Sequence, residues 1–528
     1  MELTWLLFAA ALVLPLAFLF LRRAKNTSRS QVHRLPPGPV ALPVLGNLLW
    51  WTRFDTIAIL RAMRRFHELH GPVIAFRRGS RLEITVSDRR LAHTALVGGG
   101  AAWADRPDYS IRDFGGINAS PTITTSNYGP RWRLYRRNFA AEFVHLARLR
   151  LFAPLRASIL AELRGTLLHQ QEHGDTAIRK AVHHAVFSLV MSMCFGTRID
   201  DGTVRDVAAT LGKLMMYGMI NIRLFAILPA FTTRLFSRRL MDMHAMRCHL
   251  KEIYVPLIEA RRLRKKQLSC GGGPHEEEET AGVLPHSYVD TLLDMRLDFD
   301  GGRALADDEI VALCSELLVQ GTENSVTALE WIMAELTKSP AIQEKLYEEI
   351  VAVSGGAAGQ FPDDEELLQK MTYLRSVVLE GLRRHPPGHV LVPHATAEDV
   401  ELSGYVIPKG TKVNVMVAGM GMDPEMWERP GEFVPERFLA GGVGDGVDIT
   451  CAREIKMMPF GAGRRMCPGI GVATLHLERF VANLVAAFEW QELDGEEVDV
   501  DLTAEKGEST VVMKKPLRAR LVPRGISV

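Results

Sequence analysis

The sequence predicts a mainly α-helical body with a small β-sheet subdomain, preceded by one N-terminal transmembrane helix. Three observations carry this. Apolar residues recur at spacings of three and four through long segments, as in Leu374, Val377, Val378 and Leu382, and again in Leu477, Val481, Leu484 and Phe488. Strand-like runs are short: Val73–Phe76 with Leu82–Val86, and Tyr405–Ile407 with Val413–Val415, each read as a hairpin. Leu3 to Leu21 is almost continuously apolar and is followed at once by Arg22, Arg23 and Lys25.

The apolar N-terminal stretch spans roughly 28 Å at about 1.5 Å per residue, close to the thickness of a bilayer core. Pro15 is a candidate kink. Its basic flank is C-terminal, so the positive-inside rule places the following chain in the cytosol. A cleaved signal would carry positive charge first and a small-residue cleavage site afterwards. The expectation for residues 1–21 is therefore an uncleaved signal anchor, with a buried core helix as the other reading. Residues 22–39 are basic and polar, then proline-rich at Leu35-Pro36-Pro37-Gly38-Pro39. They read as a stiff hinge that sets residues 40–528 at a fixed pose on the membrane, or as an ordinary linker.

Length divided by about 150 suggests three domains, yet nothing in residues 40–528 forces a split. With 63 basic and 62 acidic residues the net charge is +1, which gives no global field for nucleic acid. The 6 cysteines, at 194, 248, 270, 314, 451 and 467, form no C-x-x-C pair. Zinc ribbons and thioredoxin-like sites are excluded, and the irregular spacing argues against a disulfide framework. The run from Cys270 through four glutamates reads as a solvated loop.

The longest predicted helix starts at Asp307-Asp308-Glu309, whose charges suit a helix N-terminus, and stops at Ser339-Pro340. Its middle, Gln320-Gly321-Thr322-Glu323-Asn324-Ser325, is polar where a core helix should be apolar. A glycine inside a helix costs about 1 kcal/mol against alanine, and such local violations gather at functional sites. A solvent-facing kink is the alternative.

Most informative is Phe460-Gly-Ala-Gly463-Arg-Arg465-Met-Cys467-Pro-Gly469. One cysteine lies between glycines, after two arginines and before a long apolar helix. This presents a thiolate to something large, flat and anionic, for which iron porphyrin is the candidate; a packed core thiol is the bland alternative.

Phe460, Gly463, Arg465, Cys467 and Gly469 resemble the haem-binding loop of cytochromes P450 at every defining position. Glu380-Gly-Leu-Arg383 resembles the family's Glu-x-x-Arg helix, Pro435-Glu-Arg437-Phe438 its following element, and Trp132-Arg-Leu-Tyr-Arg136 its early porphyrin-facing helix. The resemblance runs from the anchor to the C-terminus. The prolines after the anchor are similar to those of plant microsomal members, and the chain resembles the plant family numbered 89. It implies a P450-like haem-thiolate fold holding haem b, with Cys467 as the iron ligand. Gly463 and Gly469 would let backbone amides approach the sulfur, and Phe460 would shield it. Arg465, Arg136, Trp132 and His394 are the implied partners of the propionates, a satisfied structural histidine being the alternative for His394. Glu380, Arg383 and Arg437 would form a charge network behind the loop, whereas an exposed pair at this spacing would contribute only about 0.2–0.5 kcal/mol.

The central helix departs from the family. Its usual pattern is small-Gly-x-acid-Thr, with the acid and the threonine managing proton delivery. Gly321 and Glu323 fit, but Gln320 replaces a small residue and Asn324 stands where the threonine should. An amide donates a hydrogen bond but does not relay a proton as a hydroxyl does. Ser325 offers a hydroxyl about 100° further round the helix. Three functions follow as expectations. The first is a monooxygenase that inserts one oxygen atom from O2 into a hydrophobic small molecule, with Glu323, Asn324 and water managing proton delivery and Ser325 or ordered water standing in for the missing threonine hydroxyl. The second is an enzyme that rearranges a peroxide or dehydrates its substrate without O2. The third is a haem- or ligand-binding protein without turnover. The regular cysteine loop and the anchor favour the first. It implies electrons from an NADPH-dependent cytochrome P450 reductase, docked on Arg131, Arg133, Arg137, Lys456 and Arg464, at the endoplasmic reticulum membrane on the cytosolic side. The substrate pocket is expected at Phe114, Gln320, Gly321, Val390, Leu391 and Val392, with Phe114 to Thr125 as a lid.

Overall fold

Helix α1 (Thr56–His70) buries Ile57, Leu60 and Met63 against strand β1 (Val73–Arg78). Strand β2 (Arg81–Val86) returns antiparallel to β1, pairing Val73 with Val86, so the first predicted hairpin is present. There follow α2 (Pro130–Asn138), α3 (Ala153–Glu172), α4 (Arg179–Phe195), α5 (Asp201–Phe225) and α6 (Ser237–Ser269). Next come α7 (Asp307–Lys338), α8 (Pro340–Val353) and α9 (Thr372–Arg384). Strands β3 (His394–Ala395), β4 (Val400–Leu402), β5 (Tyr405–Ile407) and β6 (Lys412–Val415) precede α10 (Ile470–Ala487). The structure is a computed structural model describing residues 35–41, 46–47, 56–78, 81–107, 120–173, 177–225, 234–269, 283–355, 365–493, 500, 502, 505–507 and 510–524.

The mainly helical reading holds. Helix α7 occupies the centre, packed on α4, α9 and α10. The Ala306 amide donates to Glu309 Oε2 at 2.8 Å, satisfying an orphan donor at its start. Pro340, which has no amide proton to donate, ends it and opens α8. At 32 residues α7 is one shorter than α6, at 33, so it is not the longest helix as its sequence suggested. Gly381 brings α9 directly onto α7, since a Cβ there would lie 2.3 Å from Ile332 Cγ1.

The second predicted hairpin is corrected. Tyr405–Ile407 pairs with Val400–Leu402 instead, through a two-residue turn in which Ser403 (φ 54°) and Gly404 (φ 76°) are both left-handed. The Val413 segment is freed to pair parallel with β2, Ile84 opposite Val413, and antiparallel with β3. The resulting sheet has the order β1-β2-β6-β3.

The expected anchor lies outside the described residues, as do Phe114 and the run from Cys270 to Glu279. Of the expected hinge, residues 35–39 are described, and they are docked: the Ala75 amide donates to Pro37 O at 2.8 Å, and a Cβ on Gly38 would meet Ala75 O at 1.9 Å. Among the described residues one helix, α10, is long and apolar enough to cross a membrane, and it is mostly buried in the protein. The described cysteines are all free.

Candidate active site

The cysteine loop is built by backbone geometry. Gly461 (φ 73°) and Gly463 (φ 67°) take left-handed conformations that a side chain would strain. A Cβ on Gly463 would sit 1.9 Å from Leu96 O, so the loop lies directly on the Thr94–Gly98 turn. The Cys467 amide donates to Phe460 O at 2.8 Å and closes the loop. Burial pushes the Cys467 thiol above its ordinary range, while a hydrogen bond from the Gly469 backbone and the charge of Arg136 pull it back. Cys467 also faces the cavity described next, so the residues present fit an iron porphyrin held through its sulfur, which a bound cation would keep as a thiolate.

Cys467 and Phe460 line a cavity of about 340 Å³, together with Arg465, Gly469 and His476. Arg136 and Trp132 stand behind this wall, the indole buried with Arg465 4.8 Å and Arg136 5.5 Å from its ring centre. Arg465 donates to three backbone carbonyls: Ala104 at 2.7 Å, Ile123 at 3.1 Å and Ser126 at 2.6 Å. Burial, together with the neighbouring guanidiniums Arg106 and Arg136, lowers its pKa to about 9 against the partial offset of Asp105 and Glu316. The three half-buried guanidiniums Arg106, Arg136 and Arg465 form a cluster that a dicarboxylate porphyrin would complement. His394 is also at the cavity, but burial and Arg106 lower its pKa to about 3. Its Nδ1–H donates to Trp103 O at 2.7 Å, which leaves Nε2 for a ligand.

Helix α7 supplies another wall. Gln320, Gly321, Asn324 and Ser325 line the cavity. A Cβ on Gly321 would press Val190 Cγ1 at 3.3 Å, so the glycine serves close packing of α7 on α4 rather than a kink. Asn324 Nδ2 donates to Gln320 O at 3.0 Å and to Gln320 Oε1 at 3.4 Å. The Ser325 hydroxyl donates back to Gly321 O at 2.9 Å. Glu323 is not a lining residue. About 100° round the helix from Asn324, it accepts from His183 Nε2 at 3.0 Å and faces Arg179 at 3.9 Å. Burial raises its pKa, but the His183 hydrogen bond and the charges of His183 and Arg179 outweigh it and hold the carboxyl below its ordinary range.

Val390, Leu391 and Val392 line the cavity as expected, Leu391 being held by its amide on Val415 O at 3.0 Å. The expected charge network is present. Glu380 and Arg383 form a two-point pair at 2.6 and 2.8 Å with both side chains fully buried, and Arg437 Nε reaches Glu380 Oε1 at 3.4 Å. Arg383 also donates to Gly421 O, Pro430 O and Glu432 O. The Val434 amide donates to Glu380 Oε1 at 2.9 Å, so residues 430–437 are fastened to α9.

Sequence reasoning missed Arg106, Glu316 and His476, which all line the cavity, and His183, which engages Glu323. Glu316 was findable, because Glu316, Gln320 and Asn324 repeat every four residues on one face of α7. Nothing in the local sequence marks Arg106, whose role comes from loops distant in the chain.

Comparison with known proteins agrees with this geometry. A family model for cytochrome P450 matches residues 36–521. The chain is 39% identical to cytochrome P450 89A9 of Arabidopsis thaliana over 93% of its own length and 94% of the relative's. It is 30% identical to tryptamine 5-hydroxylase of Oryza sativa subsp. japonica, covering 94% and 92% of the two chains. It is 29% identical to 5-epiaristolochene 1,3-dihydroxylase of Nicotiana tabacum, covering 97% of each.

Proposed function

The chain belongs to the cytochrome P450 family and is a monooxygenase of it, and from that premise we propose that it is a membrane-anchored enzyme oxidising a hydrophobic small molecule. Electrons would come from NADPH through a membrane-bound reductase at the endoplasmic reticulum. The observation that carries the reading is that Cys467 and the polar face of α7 line one cavity whose remaining walls, among them Val390, Leu391, Leu313 and Val190, are largely apolar. Cys467 would hold haem b, which would supply dioxygen activation, a chemistry that a thiolate ligand favours. Arg465 and Arg136, with the Trp132 indole, are the residues that would hold its carboxylates.

The chain's own residues then do the following. Asn324 offers its amide at the centre of the α7 face, and Gln320 shares its hydrogen bond. Ser325 can pass a proton at Oγ only by releasing Gly321 O. Glu323, pinned by His183 and Arg179 on the flank of α7, holds a carboxylate outside the cavity wall, so water must bridge it to the cavity. The exposed Arg133 and Arg464 both converge on Tyr128, at 4.9 Å from the ring centre and 3.0 Å from its hydroxyl, and with exposed Arg137 they form the docking surface for an acidic partner. Arg131 and Lys456 are half-buried, with Arg131 over Phe299 and Lys456 donating to Val443 O.

The test is product formation from candidate hydrophobic molecules with reductase present. The reading expects product that depends on both NADPH and O2. Product formed from a hydroperoxide alone, without NADPH, would support the peroxide-rearranging alternative and overturn it.

A further inference from the structure

Residues 122–126 pass along the cavity as a turn closed on itself by the Ser126 amide on Thr122 O and the Thr122 amide on Thr125 Oγ1, while the backbone groups of Ile123 and Thr124 are satisfied by charged side chains from elsewhere. Glu316 on α7 takes the donors: Thr122 Oγ1 at 2.7 Å and the Thr124 amide at 2.7 Å on Oε1, and the Ile123 amide at 2.9 Å on Oε2. Two guanidiniums take the acceptors. Arg465 holds Ile123 O and Ser126 O, and Arg106 Nε holds Thr124 O at 2.8 Å. Arg106 also donates to Val392 O and Pro393 O, both at 3.0 Å, so it ties this segment to the opposite cavity loop. Ile123 itself lines the cavity.

We propose that Glu316 is a latch: a positioning residue that fixes the 122–126 segment on α7 and thereby sets where the Ile123 side chain limits the size of the bound molecule. The inference rests on reading the cavity as the substrate site. Three donors on one carboxylate are charge-assisted hydrogen bonds, stronger than neutral ones. Glu316 is the one carboxylate among the described residues that line the cavity. The latch sits two helical turns from Asn324 along the same face, which spaces the size-limiting wall from the reacting end by roughly 12 Å.

The experiment uses the haem-loaded full chain, with hydrogen exchange read at the Ile123 and Thr124 amides and binding of imidazole and 1-phenylimidazole read from the haem absorption. In Glu316→Ala the two amides should exchange roughly tenfold faster or more, with Glu316→Gln intermediate. Affinity for 1-phenylimidazole should change by roughly threefold or more while imidazole stays within about twofold, and Ile123→Ala should reproduce the bulky-ligand effect. Unchanged exchange in Glu316→Ala overturns the latch. Faster exchange with unchanged 1-phenylimidazole affinity overturns its role in size selection. Should both Glu316 variants fail to take up haem, Glu316 is a folding residue and the proposal falls. If the wild-type chain binds no haem, the family reading fails, whereas amide exchange in that same chain still decides whether the latch exists.

Discussion

His183 Nε2 donates to Glu323 Oε1 at 3.0 Å, turning the one acid of the central motif toward α4 and leaving Asn324 at the centre of the cavity face of α7. The distal side of this site therefore lacks a hydroxyl where the family pattern has one. Replacing Asn324 with threonine should lower the hydrogen peroxide released per NADPH consumed, by roughly two- to tenfold, and Asn324→Ala should raise it. The ratio is measured with reductase and a turning-over substrate; equal ratios in all three proteins would remove Asn324 from proton management.

Glu380 and Arg383 are buried together without exposed surface, and Arg383 spends its remaining donors on the carbonyls of residues 421–432. Glu380→Gln leaves a buried guanidinium without its counter-charge, which costs about 3–5 kcal/mol. The purified variant should carry little or no haem and unfold at lower temperature. Normal haem content per chain would reject the network as a guarantor of the loop.

Gly463 combines a φ of 67° with no room for a Cβ against Leu96 O. Gly463→Ala should destabilise the protein by more than about 2 kcal/mol and displace the loop from the Thr94–Gly98 turn. Denaturant unfolding and haem retention check this; wild-type values in both would show that the loop adapts.

His476 is buried beside Arg156 and Arg479, and burial with those two charges lowers its pKa from 6.5 to about 3. The unfolded chain then binds a proton between those values that the folded chain refuses. Stability from this group is present above pH 6.5 and is lost as pH falls toward 3, by at most about 1.4 kcal/mol per pH unit. His476→Phe should flatten that part of the stability profile between pH 6 and 4, read from denaturant midpoints at each pH. An unchanged slope would mean that His476 is protonated in the folded state.

What was legible in the sequence was chemistry carried by neighbours in the chain. Asp307 and Pro340 mark the ends of α7 by local electrostatics and by a missing amide proton, and the cysteine loop carries its glycines within a few residues of the thiol. Glu380 and Arg383 share one helical turn. What was not legible depends on distant partners. Val413 pairs with Ile84 and not with Tyr405, which the Ser403–Gly404 turn places opposite Leu402. Arg106 joins residues 124, 392 and 393, and His183 reaches Glu323 across two helices. Glu323 illustrates the limit: its motif marks the acid, whereas its angle on α7 and its partner His183 emerge only from the packing of α7 on α4.

The most direct measurement of the central claim is the absorption spectrum of the reduced full chain under carbon monoxide, compared with Cys467→Ser. The account predicts the red-shifted Soret band of thiolate-ligated haem in the wild type and its loss in the variant. A wild-type protein that binds no haem, or a red-shifted band that survives in Cys467→Ser, would contradict it.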